Sequence, residues 1–327
     1  TVDNTAPTIS AVTQIATNTS DNTPSYVFTT NETGTVTTNI GAGIGSGGTV
    51  TSTGNNTVTF AELSDATYSS KTITLTDTAG NASSLTLSTF TVDTTAPTLS
   101  SVAIASTNST TSLVKHGQDV VLTFTASETI GTPTVTFFSG GDSTDDGTIS
   151  YVNTTGNTWT ATYDVRYADT EGAVTFSISF SDSASNAGTA VTAVTNGSTV
   201  TFDRTPPTIT QVTAVPTPSN DTTPSYVYTT NEAGTITSSL AFSTTTSAST
   251  GSNQTITFNT LSAGVYSGET LVITDPTGNA RTKTIPDFTI ETTAPTGALT
   301  YSADAPYKQN ATATVTATFT EALTTTP

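Results

Sequence analysis

One seven-residue phrase occurs four times along the chain: VDNTAPT from Val2, VDTTAPT from Val92, FDRTPPT from Phe202 and IETTAPT from Ile290. These starts lie 90, 110 and 88 residues apart. Recurrence at near-constant spacing means one folding unit used repeatedly, and the spacing suits a small β-sandwich. A second phrase precedes each following junction: DTAGN at 77–81, DSASN at 182–186 and DPTGN at 275–279. Asp, Gly and Asn between two alternating runs describe a hairpin turn. A third phrase is shared by the first and third repeats, TPSYVFTTNETGTVT from Thr23 and TPSYVYTTNEAGTIT from Thr223. The second repeat has VVLTFTASETIGTPTVTF from Val120 in that place, and the fourth has ATVTATFTEAL from Ala313. The expected domains are therefore 1–93, a longer subtype at 94–203, 204–291, and an incomplete fourth at 292–327.

Strand character follows from composition and alternation. Thr and Ser make up more than a third of the chain, with Val, Ile, Phe and Tyr throughout. Of these, Thr, Val, Ile, Phe and Tyr fit a pleated, half-buried surface. Ile73, Leu75, Leu85 and Leu87 alternate with Thr or Ser, as strands with one buried face require. In repeat one TISAVTQ, PSYVFTT, GTVTTNI, KTITLTD and SSLTLSTFTVD read as strands, with short strands near Val50 and over 57–60. The glycine-rich stretch 41–48 reads as a loop. The expected fold class is all-β, with tandem immunoglobulin-like β-sandwich domains arranged as an elongated rod. A proline follows each junction acid within four residues and stiffens the connection.

Several chemistries are disfavoured. There is no Cys, so neither disulfides nor thiolates are available. No run of 18 apolar residues occurs, so no helical membrane span is expected. The net charge of −18, from 25 acidic against 7 basic residues, opposes binding to nucleic acid or an anionic membrane and favours divalent cations. The one histidine, His116, reads as an exposed turn residue with no group placed to make a catalytic pair. No phosphate-binding or dinucleotide fingerprint is present, and the chain reads as non-enzymatic. Trp159 reads as core or strand face. Asp142, Asp145 and Asp146 read as a solvated loop. The Asn108 and Asn153 sequons are expected at about the rate that chance gives in so Ser- and Thr-rich a chain. Lys71 and Lys283 are too few for a Lys–Asn crosslink in every domain. With no leader at its start, the sequence is expected to be a segment of a longer protein.

The junction D-x-T-[AP]-P-T and the turn D-x-x-G-N together resemble bacterial Ig-like repeats, which build the stalks of large adhesins and other surface proteins. The resemblance covers the whole chain. It implies an extracellular, cell-surface location, a spacer or lattice role, and Ca2+ at domain junctions. The implied function is a structural spacer or stalk segment of an adhesin, stiffened by Ca2+. The alternatives are a self-assembling S-layer, sheath or surface filament, and a carbohydrate-binding accessory module. Expected partners are neighbouring domains or copies of the same protein, with a possible surface ligand bound by a tip elsewhere. No nucleic acid and no membrane span are expected.

Sandwich topology independently locates a cation site. The segment before the first strand, the loop after the second and the last hairpin turn should meet at one pole of each domain. The recurrent acids lie on these three segments. In repeat one they are Asp3, Glu32 and Asp77, with Asn81. In repeat two they are Asp93, Glu128 and Asp182, with Asn186. In repeat three they are Asp203, Glu232 and Asp275, with Asn279. In repeat four, Glu291 and Glu321 stand alone. Ca2+ takes six to eight oxygens from carboxylates, carbonyls and water. Zinc is poorly matched to one His and no Cys. The turn Asp would equally serve to shape its hairpin, and the Asn to occupy a left-handed turn position. Ser185 departs from the turn pattern, where the other repeats have Gly. Asp21 and Asp221, expected at the opposite pole, rank below the other acids.

Overall fold

A computed structural model describes residues 2–144, 148–244, 246–301, 309–310 and 312–321. Among the described residues every regular element is a strand, and no helix is long and apolar enough to cross a membrane. The chain forms two compact units, 1–204 and 205–327. The first unit holds two separate hydrophobic cores and the second holds one.

The first core shows how the sequence builds a sandwich. In Ser25–Thr30, Tyr26, Phe28 and Thr30 point inward while Ser25 and Val27 point away. Ile73 and Leu75 do the same in Thr72–Thr76. One sheet runs in the order Ile9–Thr13, Ser25–Thr30, Gly54–Phe60, Ile44–Ser46. The facing sheet runs Ala82–Thr86, Thr72–Thr76, Gly34–Thr38, Thr49–Val50. Many outward positions are Thr or Ser, several paired as hydroxyls across strands, such as Thr74 with Ser84 at 2.7 Å.

Three local expectations need correction. The run SSLTLSTFTVD is two strands, Ala82–Thr86 and Phe90–Val92. Between them Leu87 turns into the core and the chain changes sheet. Phe90–Val92 then pairs antiparallel with Ala66–Tyr68 and parallel with Asn18–Thr19. The first strand switches likewise, from Ile9–Thr13 to Asn18–Thr19. The stretch 41–48 contains the strand Ile44–Ser46, drawn in because Ile44 packs against the first core.

The second core is larger. Trp159, Phe124, Phe137 and Tyr163 are all buried in it. His116 lies exposed in the turn before Asp119–Ala126, edge-on to Tyr167 with ring centroids 5.8 Å apart. Asp142 begins a two-residue strand and accepts a bond from Thr170, whereas Asp145 and Asp146 lie outside the described residues. In the second unit, Ser225–Thr230, Gly234–Ser238 and Thr270–Thr274 repeat the arrangement of repeat one around their own core. Beyond it, Gly297–Tyr301 and Val315–Phe319 form an antiparallel hairpin exposed on both faces.

Pro7, Pro97 and Pro207 are buried, but Pro295, ahead of the hairpin, is exposed. Each later junction acid is held by the domain it leaves. The main-chain N–H groups of Asp93, Asp203 and Glu291 donate to the carbonyls of Thr19, Val114 and Ser219, at 3.0, 3.0 and 2.9 Å.

Candidate metal centre

The Asp of the D-x-x-G-N turn is a buried carboxylate. In repeat one, Asp77 Oδ1 accepts the Asn81 N–H at 2.9 Å and Oδ2 accepts the Asn81 side-chain amide at 2.8 Å. In repeat two, Asp182 Oδ1 accepts the N–H groups of Ala184 and Asn186, and Oδ2 accepts the Asn186 amide. In repeat three, Asp275 accepts from Gly278, from the Asn279 N–H and from the Asn279 amide. The turn closes only with a left-handed residue at its fourth position. Gly80 and Gly278 take φ of +96° there, and Ser185 takes +74° in the same place. Ser185 therefore preserves the turn at the cost of strain that glycine avoids.

The loop after the second strand carries the Glu. Thr30 is buried and bonds both the N–H and the carbonyl of Glu32, and Thr230 does the same for Glu232. Gly34 then lets the backbone lie against the end of Thr72–Thr76. A Cβ added to Gly34 would meet the Thr76 carbonyl oxygen at 2.3 Å, and one added to Gly234 would meet that of Thr274 at 2.4 Å. This close approach sets Glu32 beside Asp77.

The junction supplies the third carboxylate. In repeat one, Asp3, Glu32 and Asp77 each place a carboxylate oxygen within 4.8 Å of the others. Asp93, Glu128 and Asp182 do the same in repeat two. Burial, then the charges of Asp93 and Asp182, push the Glu128 carboxyl above its ordinary value. Asp77 moves the other way: the Asn81 side chain, helped by backbone N–H groups, outweighs burial and holds it low.

Asn81 and Asn186 hold the site together as donors. Besides its turn Asp, Asn81 donates to the main-chain carbonyl of Asp3 at 3.2 Å, and Asn186 donates to that of Asp93 at 2.7 Å. Their amides tie the turn to the junction. In the second unit Glu232, Asp275 and Asn279 occupy the equivalent loop and turn, while Asp203 belongs to the first unit. Glu291 accepts from the Thr293 N–H at 2.5 Å, and the described residues give it and Glu321 no third carboxylate. Asp21 accepts from Thr23 within its own exposed turn.

The residue preceding each recurrent Glu also fastens the junction. Asn31 Oδ1 accepts the Thr8 N–H at 2.7 Å, Ser127 Oγ accepts that of Thr98 at 3.0 Å, Asn231 Oδ1 accepts that of Thr208 at 2.6 Å, and Thr320 Oγ1 accepts that of Thr296 at 3.0 Å. In all four repeats a short side-chain oxygen thus pins the residue after the junction proline. The signal was present as Asn-Glu, Ser-Glu or Thr-Glu at each recurrent Glu.

The fold and the poles define a tandem array of Ig-like β-sandwiches with acidic junctions. The family model described as bacterial Ig-like domain (group 3) matches residues 54–213. No curated protein matches the chain. Among solved structures, a three-Ig fragment of titin carrying an E-to-A mutation aligns with 87% of this chain and 97% of its own, at 9% identity and a TM-score of 0.43. A tetra-tandem repeat in the extending region of a large adhesion protein aligns with 92% of this chain and 77% of its own, at 19% identity and a TM-score of 0.29. The three-Ig ectodomain of mouse nectin-like molecule 4 covers 87% and 93%, at 12% identity and a TM-score of 0.27.

Proposed function

We propose that this chain is a non-catalytic spacer of an extracellular, cell-surface adhesin, with junctions stiffened by Ca2+. The observation that carries the reading is the carboxylate triad found twice in the first unit, Asp3–Glu32–Asp77 and Asp93–Glu128–Asp182, each joining three distant segments at the head of a domain. The donor set fits the ion. All three groups are oxygen donors, and none is a soft or imidazole ligand. Ca2+ tolerates the irregular geometry of carboxylates drawn from separate loops, whereas Mg2+ demands a tight octahedron. Bound there, the ion would neutralise three like charges and fasten the junction to the domain that follows. The sequence repeats the set as Asp203, Glu232 and Asp275.

Small-angle scattering of the whole chain, with Ca2+ and then with excess chelator, tests the reading. A narrow range of dimensions with Ca2+ that broadens in chelator supports it. Superimposable curves, with no heat of Ca2+ binding, would leave the acids as turn and surface residues and remove Ca2+ from the account. An affinity of about 0.1–1 mM is expected, as for other extracellular modules.

A further inference from the structure

We propose that Asp65 and Glu171 are positioning residues, carboxylates that latch a junction to the domain it leaves, and that Asp65 also orients the junction acid Asp93 from behind. Neither belongs to the carboxylate triads. Asp65 immediately precedes the strand Ala66–Tyr68, whose Ala66 lies opposite Val92, the last residue before the junction acid Asp93. This register sets Asp65 against the next turn of chain. Its Oδ1 accepts the N–H and the hydroxyl of Thr94 at 3.0 and 2.9 Å, and its Oδ2 accepts the Thr95 hydroxyl at 3.0 Å. Thr95 in turn donates its N–H to Asp93 Oδ1 at 3.1 Å. Asp65 therefore reaches the carboxylate of Asp93 through one intervening residue. The Thr94 side chain foremost, with further bonds from Thr95 and the Thr94 backbone, holds the Asp65 carboxyl below its ordinary value.

Glu171 occupies the same register in repeat two. It precedes Gly172–Ser179, whose Gly172 lies opposite Phe202, and its Oε1 accepts the Arg204 N–H at 2.7 Å. Arg204 is further held by a bond to the Tyr167 carbonyl, and its guanidinium lies 4.7 Å from the centre of the Tyr167 ring. In repeat three the register position is Ala263, ahead of Gly264–Tyr266, whose Gly264 lies opposite Ile290. The chain thus contains a series of Asp, Glu and Ala at one structural position, and the junction after Ile290 lacks the latch.

The orienting role rests on the Ca2+ reading, whereas the latch itself does not. The test uses the whole chain with Asp65→Ala, Asp65→Asn and Asp65→Glu, the last borrowing the residue of repeat two. Circular dichroism and the NMR amide spectrum of the first domain check that each variant folds. Hydrogen exchange at the Thr94 amide reads the latch, and a Ca2+ titration read by NMR shifts of the residues around Asp93 reads the orientation. Asp65→Ala is expected to speed Thr94 exchange about tenfold and to weaken Ca2+ at the Asp93 site about tenfold, leaving the Asp3 site unchanged. Asp65→Glu restores both, and Asp65→Asn falls between. Unchanged Thr94 exchange in Asp65→Ala overturns the latch. Faster exchange with unchanged affinity overturns the orienting role. A wild-type chain that binds no Ca2+ removes the orienting role along with the Ca2+ reading, and the exchange measurement still decides the latch.

Discussion

Asn186 donates its side-chain amide to the main-chain carbonyl of Asp93 at 2.7 Å and to Asp182 Oδ2 at 2.8 Å, so one residue joins the last turn of repeat two to the junction that enters it. Removing the amide leaves two acceptors without this donor in a partly covered site. Asn186→Ala should lower the stability of the second domain by about 1–3 kcal/mol. Trp159, the one tryptophan and buried in the second core, reports that domain's unfolding directly in a urea titration. A midpoint equal to that of the wild type would mean the strap is dispensable.

Gly34 should tolerate no side chain. Its added Cβ would strike a main-chain oxygen, which cannot rotate away as the end of a side chain can. Gly34→Ala is expected to cost about 1–3 kcal/mol and to move Glu32 away from Asp77. Thermal unfolding measures the first effect and Ca2+ titration at the Asp3 site the second. The matched substitution Gly234→Ala should behave alike.

Ser185 offers the opposite experiment. Its left-handed backbone costs about 1 kcal/mol, partly offset by the extra freedom glycine has in the unfolded chain. Ser185→Gly should therefore stabilise the second domain by about 0.5 kcal/mol, and Gly80→Ser should weaken the first. A loss of stability in Ser185→Gly would show that the hydroxyl contributes more than the strain removes.

The two charged poles should respond to acid in opposite senses. Glu128 sits above the ordinary glutamate value of 4.5 in the folded state, so the fold binds its proton more readily than the unfolded chain does. In chelator, its contribution to the second domain becomes more favourable as pH falls through the raised value toward 4.5. Asp77 sits below 3.8, so its contribution to the first domain is present above that pH and is lost as pH falls through the depressed value. Glu128→Gln should flatten the Trp159-detected stability profile in the first window, and an unchanged profile would contradict the assignment.

Substituting a member of a triad should separate the sites. Asp182→Asn is expected to reduce Ca2+ affinity at the second pole by at least about tenfold, because affinity follows the number of ligand charges. The first pole should keep its affinity. Calorimetric titration of wild type and variant resolves the difference, and identical isotherms would exclude Asp182 as a ligand.

Much of this was legible without coordinates. Alternation at Ile73 and Leu75 marks a buried strand face because side chains on a strand point to opposite sides by turns. The spacing of Asp, Gly and Asn in DTAGN specifies its turn, because the left-handed position and the carboxylate–amide closure lie within five residues. The recurrence of Asp3, Glu32 and Asp77 in each complete repeat was visible for the same reason: these are properties of short stretches of chain. Tertiary structure alone decided where the first and last strands change sheets, since that depends on which edge remains open to pair. It also decided that Asn186 reaches Asp93, 93 residues away, and that Asp65 takes Thr94, 29 residues away. Such bonds depend on register and on which strand ends meet at a pole. A single polar residue carries no local mark of a partner that only the finished sandwich brings beside it.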